Sequence, residues 1–341
     1  MNNYLRRLLQ THDRRHFGRC QRPATGWRPR RGAELSHFGP AALLMGAAAL
    51  VASVACSSPL QTSDSTLITS PPLIIAHRGA RSLAPENTLA AARKALDVGA
   101  DMWELDVTIT ADDELVVMHD DTLERTCNAP ELFADRSPWQ VRDFSMAEIE
   151  MLDCGSWFND QDPFGQIQAG NVSDAEQQSY AGEQAPTLRQ ALEFTRDHDW
   201  RVNVELKRQP TEALDQLLVQ KAVALIGEVG MDDGQQVVVS SFRHDYLEHI
   251  RTLNPDIPTQ AVTSTLIQHL PDYLSQLGAS ACNPKATVWS YKRMAQLQVN
   301  GVAFNVWTVN DDLTMRALVK TGVHGIITDF PQRLAQILSE Q

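Results

Sequence analysis

From residue 73 onward the chain alternates between two patterns. Short runs rich in Val, Ile and Leu, bounded by polar or glycine positions, read as buried strands, and the segments between them read as helices. The strand runs are Leu73–His77, Met102–Thr110, Arg201–Lys207, Gln236–Phe242, Pro258–Ser264, Ala279–Lys285, Val302–Asn310 and Gly325–Asp329, with an extra one at Leu115–Asp120. The helical patterns are Pro85–Val98, Thr187–His198, Thr211–Val229, His244–Leu253, Leu266–Leu277, Thr287–Gln298, Asp311–Lys320 and Gln332–Leu338. Pro85 suits a first helical position and Gly99 a stop, and Asn310-Asp311-Asp312 offers capping oxygens.

Strand then helix, eight times over, is the signature of a parallel sheet wrapped by helices. In this number it predicts an α/β protein of the (β/α)8 TIM-barrel type. One stretch breaks the rhythm. Asp121–Ala185 is rich in Asn, Gln, Gly and Asp, and reads as a sizeable insertion after the second strand, a cap on the barrel rim.

Composition adds the segment before the barrel. The 341 residues are 43% hydrophobic and 21% charged, which argues against wholesale disorder, a coiled coil or a polytopic membrane protein. The net charge of −12 disfavours a nucleic-acid partner, because no surplus of cations is present to neutralise phosphates. That charge is unevenly spread. Residues 1–40 carry nine arginines against Asp13 and Glu34, residues 41–56 carry no charge, and the remainder therefore holds −19.

A basic head, an apolar stretch and an acidic body read as a targeting leader on an exported domain. Ala41–Ala55 is shorter than the ~20 residues of a spanning helix and suits a signal peptide. Cys56 follows Ser53-Val54-Ala55 and resembles a bacterial lipoprotein processing site, with Cys56 as the lipid-bearing residue; Ser53 and Ala55 also satisfy a small-x-small cleavage rule. The organisation expected is a leader over 1–56, a Ser/Thr/Pro-rich tether over 57–72 and a barrel over 73–341. The product is then periplasmic, or anchored in a membrane through its N-terminus. Beyond the leader only Cys127, Cys154 and Cys282 remain. An oxidising compartment permits a Cys127–Cys154 bridge, and buried free thiols fit the same count.

In a barrel of this kind the chemistry sits at the C-terminal ends of the strands. Those ends carry His77-Arg78-Gly79, Glu104-Leu105-Asp106, His119-Asp120 and Glu205-Leu206-Lys207. Glu104 and Asp106 are two apart and share one strand face, where they repel unless a cation lies between them. With Glu205 they make three carboxylates and no thiolate, a donor set for a hard divalent ion, Ca²⁺ or Mg²⁺. His77 and His119 titrate near neutrality and suit proton transfer. Arg78 and Lys207 suit a phosphate.

These blocks resemble the signature of the glycerophosphodiester phosphodiesterase family. The resemblance extends through Pro85-Glu86-Asn87-Thr88, Gly155-Ser156-Trp157-Phe158, Pro186-Thr187-Leu188 and Val306-Trp307-Thr308-Val309-Asn310, in order over residues 73–338. It implies a TIM barrel, hydrolysis of a small glycerophosphodiester to glycerol 3-phosphate and an alcohol, and metal binding by Glu104, Asp106 and Glu205. It further implies proton exchange by His77 and His119, phosphate binding by Arg78 and Lys207, and a pocket lined by Trp307. At Arg125-Thr126-Cys127-Asn128-Ala129 the chain departs from the pattern, which usually has a small residue for Cys127 and Gly for Ala129.

Plainer readings apply to other residues. Pro85–Thr88 opens the first helix, with Glu86 or Asn87 able to buttress the site. Ser241 and Phe242 end a strand near the mouth without a catalytic role. His244, His249, His269 and His324 are surface or core residues, and Asn171-Val172-Ser173 is a sequon by pattern only. Two further functions use the same barrel: a phospholipase-D-like reaction on lysophospholipids, and an inactive envelope binding protein.

Overall fold

The computed structural model describes residues 70–340. The leader over 1–56, Cys56 and nearly all of the 57–72 tether lie outside the described residues. Among the described residues no helix is long and apolar enough to cross a membrane.

The elements follow in the order β1 (Leu73–Ala76), α1 (Leu89–Asp97), β2 (Met102–Ile109) and β3 (Leu115–Val117), then four short helices, α2 (Ala129–Leu132), α3 (Met146–Ile149), α4 (Ser156–Gln161) and α5 (Asp174–Tyr180). Regular alternation resumes with α6 (Leu188–Asp197), β4 (Val202–Leu206), α7 (Glu212–Glu228), β5 (Val237–Ser241), α8 (His244–Leu253), β6 (Thr259–Thr263) and α9 (Leu270–Leu277). It ends with β7 (Ala281–Pro284), α10 (Tyr291–Val299), β8 (Asn305–Val306), α11 (Asp312–Thr321), β9 (Gly325–Thr328) and α12 (Pro331–Ser339).

Eight strands pair in parallel in the order β7-β6-β5-β4-β2-β1-β9-β8. The two ends meet through bridges at Cys282–Phe304 and Lys285–Trp307, where the Trp307 N–H donates to the Pro284 carbonyl at 3.0 Å. The result is the expected (β/α)8 barrel. Its seam is sparse for a reason visible in the sequence: Pro284 ends β7 without an N–H to donate, and the Val302–Asn310 run narrows to a two-residue strand.

Every position of β2 is buried, because one face meets the helices and the other the lumen. Trp103, Leu105, Val107 and Ile109 join the outer core beneath the helices. Inside, Ile75, Met102, Val238 and Ile327 form a separate apolar cluster, one residue from each of four strands. Beside it lies a neutral amide set. Asn283 and Asn305 both donate to Gln260 Oε1, at 2.8 and 3.0 Å, and Asn305 also donates to Asn283 Oδ1 at 3.1 Å. These three side chains are buried and bonded to one another, which is what such groups require in a lumen.

Two local features place the site. Gly79, at φ +79°, packs against α1 so closely that a Cβ there would lie 2.6 Å from Ala91 Cβ. The predicted helix from Pro85 begins instead at Leu89, capped by Thr88 Oγ1. The first predicted turn is unwound because Asn87 adopts φ +59° and spends its amide on Asp106. The extra strand β3 runs antiparallel to β2. Its continuation returns far enough for the Met118 N–H to donate to the Asp106 carbonyl at 2.9 Å, which delivers His119 to the strand ends.

Residues 121–185 carry a second small core of Leu123, Val141, Phe144, Met146, Ile149 and Leu152 beside β3. Through it runs a Cys127–Cys154 disulfide. Cys127 thus fills a bonding role where a small residue is usual, and Ala129 begins α2 with no need for a glycine. Closing a loop with this separation of 27 residues is worth about 3–4 kcal/mol in the chain-entropy picture. A Cys127→Ser, Cys154→Ser double variant is expected to lose roughly that much stability in denaturant melts, and an unchanged midpoint would refute the contribution.

Candidate active site

Strand geometry assembles the site. Glu104 and Asp106 share the inner face of β2, and Asp106 stands in register with Glu205 on β4. One carboxylate oxygen from each of the three lies within 4.8 Å of the other two. Lys207 Nζ donates to Glu205 Oε1 at 3.0 Å and to Asp106 Oδ1 at 3.2 Å. Arg78, at φ +55°, donates its backbone N–H to Glu104 Oε2 at 2.9 Å and holds its Nε 3.3 Å from Asp106 Oδ2.

These contacts divide the carboxylates. Burial works to raise Asp106, but Lys207, Arg78, His119 and the Asn87 amide outweigh it and hold the group well below the usual carboxylate range. Glu104 is pushed well above that range, first by burial and then by Asp106 and Glu205, with Arg78 as the partial offset. Glu205 is raised by burial against the pull of Lys207. Two buried carboxylates and a half-buried one, with residual mutual repulsion, are what a hard divalent cation offsets, so the residues present fit such an ion.

The two histidines are each held by a carboxylate. His77 follows β1, and Asp329 Oδ1, following β9, accepts its Nδ1–H at 2.6 Å. Asn310 fixes Asp329 in turn, donating to Oδ2 at 2.7 Å and accepting the Asp329 N–H at 3.0 Å. This bond fixes the tautomer and leaves Nε2 of His77 as an acceptor. Burial lowers the His77 pKa, and Arg78 and Arg81 add to the effect against Asp329. His119 Nδ1 pairs with Asp120 Oδ1 at 2.6 Å.

All eight residues expected from the sequence (His77, Arg78, Glu104, Asp106, His119, Glu205, Lys207 and Trp307) line one cavity of about 250 Å³. Its charged half comes from β1, β2, β4 and the end of β3. Its neutral half comes from β5 to β8, with Ser240, Phe242, Val262, Asn283 and Trp307. Trp307 donates its Nε1–H to the Asn283 carbonyl at 2.7 Å and meets Phe242 edge to face at 5.4 Å. Phe242 is therefore a wall residue of the pocket, whereas Ser241 turns away to bond the Leu206 carbonyl. Lys207 is engaged with the carboxylates in the arrangement described.

Sequence reading missed Asp329, although a carboxylate ending the last strand in Thr328-Asp329-Phe330-Pro331 was a usable signal. It also missed Arg81 and Arg125, which sit in irregular loops where no periodicity marks them.

Converging carboxylates, imidazoles and cations at the strand ends of a barrel define a protein equipped for phosphate chemistry. Residues 77–333 match the model of the glycerophosphoryl diester phosphodiesterase family, and the chain belongs to that family. It is 31% identical over 266 residues to a glycerophosphodiester phosphodiesterase of Caldanaerobacter subterraneus, covering 78% of this chain and 97% of that one. A second enzyme of that name, from Bacillus altitudinis, is also 31% identical, over 78% of this chain and 98% of its own. Among solved structures, a phosphodiesterase from Oleispira antarctica in complex with sn-glycerol-3-phosphate superposes with a TM-score of 0.65 at 25% identity, covering 79% of this chain and 97% of that one. The glycerophosphodiester phosphodiesterase of Agrobacterium tumefaciens gives 0.58 at 28% identity, covering 78% and 99%.

A cation bound only by the folded state stabilises it, by about 2.7 kcal/mol at 100 times its dissociation constant. Adding Ca²⁺ or Mg²⁺ to chelator-treated protein is expected to raise the thermal midpoint by several degrees, and Glu104→Gln should abolish most of the rise. No shift with either ion would argue against the carboxylates as a metal site.

Proposed function

We propose that this protein hydrolyses glycerophosphodiesters to glycerol 3-phosphate and an alcohol, assisted by a divalent cation held by Glu104, Asp106 and Glu205. The observation that carries this reading is the convergence of both histidines, all three carboxylates, Arg78 and Lys207 on one cavity. Support comes also from the names of the relatives and from the product bound by the Oleispira enzyme.

A bound Ca²⁺ or Mg²⁺ would supply positive charge for the phosphate oxygens and for an attacking hydroxyl. The side chains do the rest. Nε2 of His77, unprotonated because burial keeps the ring neutral, takes the proton of the substrate's glycerol 2-hydroxyl. That oxygen bonds to phosphorus, the bond from phosphorus to the headgroup oxygen breaks, and His119 gives the departing oxygen its proton. The roles then reverse. His119 takes a proton from water as the water oxygen attacks the cyclic phosphate, and His77 returns its proton to the glycerol 2-oxygen as that bond breaks. Arg78 and Lys207, both lining the cavity, meet the charge of the phosphate.

A specific observation favours a second substrate. Phe242 is 47% exposed at the mouth while its ring meets Trp307. An apolar lip of this kind suits the acyl chain of a lysophospholipid, cleaved by the same groups.

The assay is glycerol 3-phosphate release from glycerophosphocholine by protein lacking residues 1–56, with chelator and then with Ca²⁺ or Mg²⁺ restored. Release restored by metal and reduced at least 100-fold by His77→Ala or Glu104→Ala is expected; normal turnover in both variants would overturn the proposal. Choline release from lysophosphatidylcholine alone would favour the second substrate, and silence on both would favour an inactive barrel. The acid limb of kcat/KM is expected below the ordinary histidine value of about 6.5, since His77 gives up its proton more readily than a free imidazole. Asp329→Asn removes the negative charge that raises His77 and should move the limb lower still.

We further propose export through the 1–56 leader with lipid attachment at Cys56; the Cys127–Cys154 disulfide favours an oxidising compartment. Recovery of the full chain with membranes, and of Cys56→Ser in the soluble fraction, is the expected outcome.

A further inference from the structure

One buried carboxylate gathers three arginines. Glu86, in the loop ahead of α1, is 4% exposed. Its Oε1 accepts from Arg78 Nη1 at 2.8 Å and from Arg125 Nη2 at 2.7 Å. Its Oε2 lies 2.7 Å from Arg81 Nη2. Burial works to raise this carboxyl, but the hydrogen bond from Arg125 and the charges of Arg78, Arg81 and Arg125 outweigh it and hold the pKa at about 2, so the group is ionised at any working pH.

Two of the arginines reach onward to the carboxylates that hold the histidines. Arg81 Nη1 lies 3.6 Å from Asp329 Oδ1, the oxygen that accepts from His77. Arg125 Nε donates to Asp120 Oδ2 at 2.6 Å, while the other oxygen of Asp120 holds His119. Both guanidiniums are braced by aromatic rings of the 121–185 segment, to which Arg125 itself belongs. Arg81 lies over the Phe164 ring at 5.2 Å and Arg125 over the Trp157 ring at 5.9 Å.

Buried ionic networks contribute little net stability against their desolvation, but removing one member leaves the others uncompensated. The planar fork of arginine also transmits orientation, since its donors are fixed relative to one another. With Glu86 neutralised, three guanidiniums lose their common anchor and repel one another. Asp329, still held at Oδ2 by Asn310, and Asp120 then each lose a fixed guanidinium neighbour, and the carboxylate oxygen facing each histidine shifts.

We propose that Glu86 is the positioning residue that sets both histidines at once, through Arg81 and Asp329 for His77 and through Arg125 and Asp120 for His119. This rests on the reading that the two histidines move the protons of the reaction.

The test uses the whole enzyme and two readouts. The first is the pair of low-field proton NMR resonances expected from the two Nδ1–H groups bonded to carboxylates, assigned by Asp329→Asn and Asp120→Asn. In Glu86→Gln both resonances are expected to shift or vanish, and kcat to fall at least 10-fold. The second readout is coupling: in an Asp329→Asn, Asp120→Asn background the same change should lower kcat less than threefold. Unmoved resonances, movement of only one, or an undiminished effect in that background would overturn the proposal. If Glu86→Gln does not fold, Arg81→Lys should move only the His77 resonance and Arg125→Lys only that of His119; any other pattern overturns it as well. Retained turnover in His77→Ala and His119→Ala would instead remove the catalytic reading, while the resonances would still report whether Glu86 orients the rings.

Discussion

Burying negative charge at one end of a barrel is the constraint on which the rest of the site depends. Glu86, Glu104, Asp106 and Asp329 are all buried there, and Glu205 stands beside them. An unpaired carboxylate in such a place is expensive, so each must meet a cation or a directed hydrogen bond. Arg78, Arg81, Arg125 and Lys207 answer most of that demand. Glu104 has the weakest answer, a single backbone N–H and a share of Arg78, which is why burial and its neighbours push it upward. The place for a divalent ion is where the protein's own cations fall short.

The fold serves this arrangement through spacing. Period-two geometry on β2 and β4 aims carboxylates inward while the alternate side chains bind the helices. The antiparallel return of β3 supplies a second imidazole that no parallel strand provides. The positive φ at Arg78, Gly79 and Asn87 bends the first loop tightly enough to bring a backbone donor, an arginine and an amide to the carboxylates of β2. Such backbone is uncommon for residues other than glycine and persists here because contacts on both sides fix it.

Much of this was legible in the sequence, and the limits have physical causes. Glu104, Asp106, Glu205 and Lys207 lie on strands, where spacing alone assigns the face. His77 and Arg78 follow a strand whose apolar run is unmistakable. Glu86 and Asn87 were read mainly as helix, because Pro85 looks like a helix start and nothing local reveals the tertiary pull of Asp106 on Asn87. Helices α2 to α5 span too few residues for periodicity to register. Arg81 and Arg125 each pair with one carboxylate five residues away and with a second, Asp329 and Glu86 respectively, far along the chain, and no periodic pattern records the distant partner. The Cys127–Cys154 bridge was one of two readings that spacing allowed, and the fold brings the two residues together within a common small core.

The division of the lumen bears on how such an enzyme can change. The charged half is a closed set of mutual obligations, in which altering one member strands several others. The neutral half, with Ser240, Phe242, Val262, Asn283 and Trp307, contributes no charged group to it. Substitutions there reshape the wall without disturbing the protonation of the other side. Selection can therefore retune which alcohol is accepted while the chemistry is inherited intact, so substrate preference is the trait most free to diverge among proteins that keep this barrel.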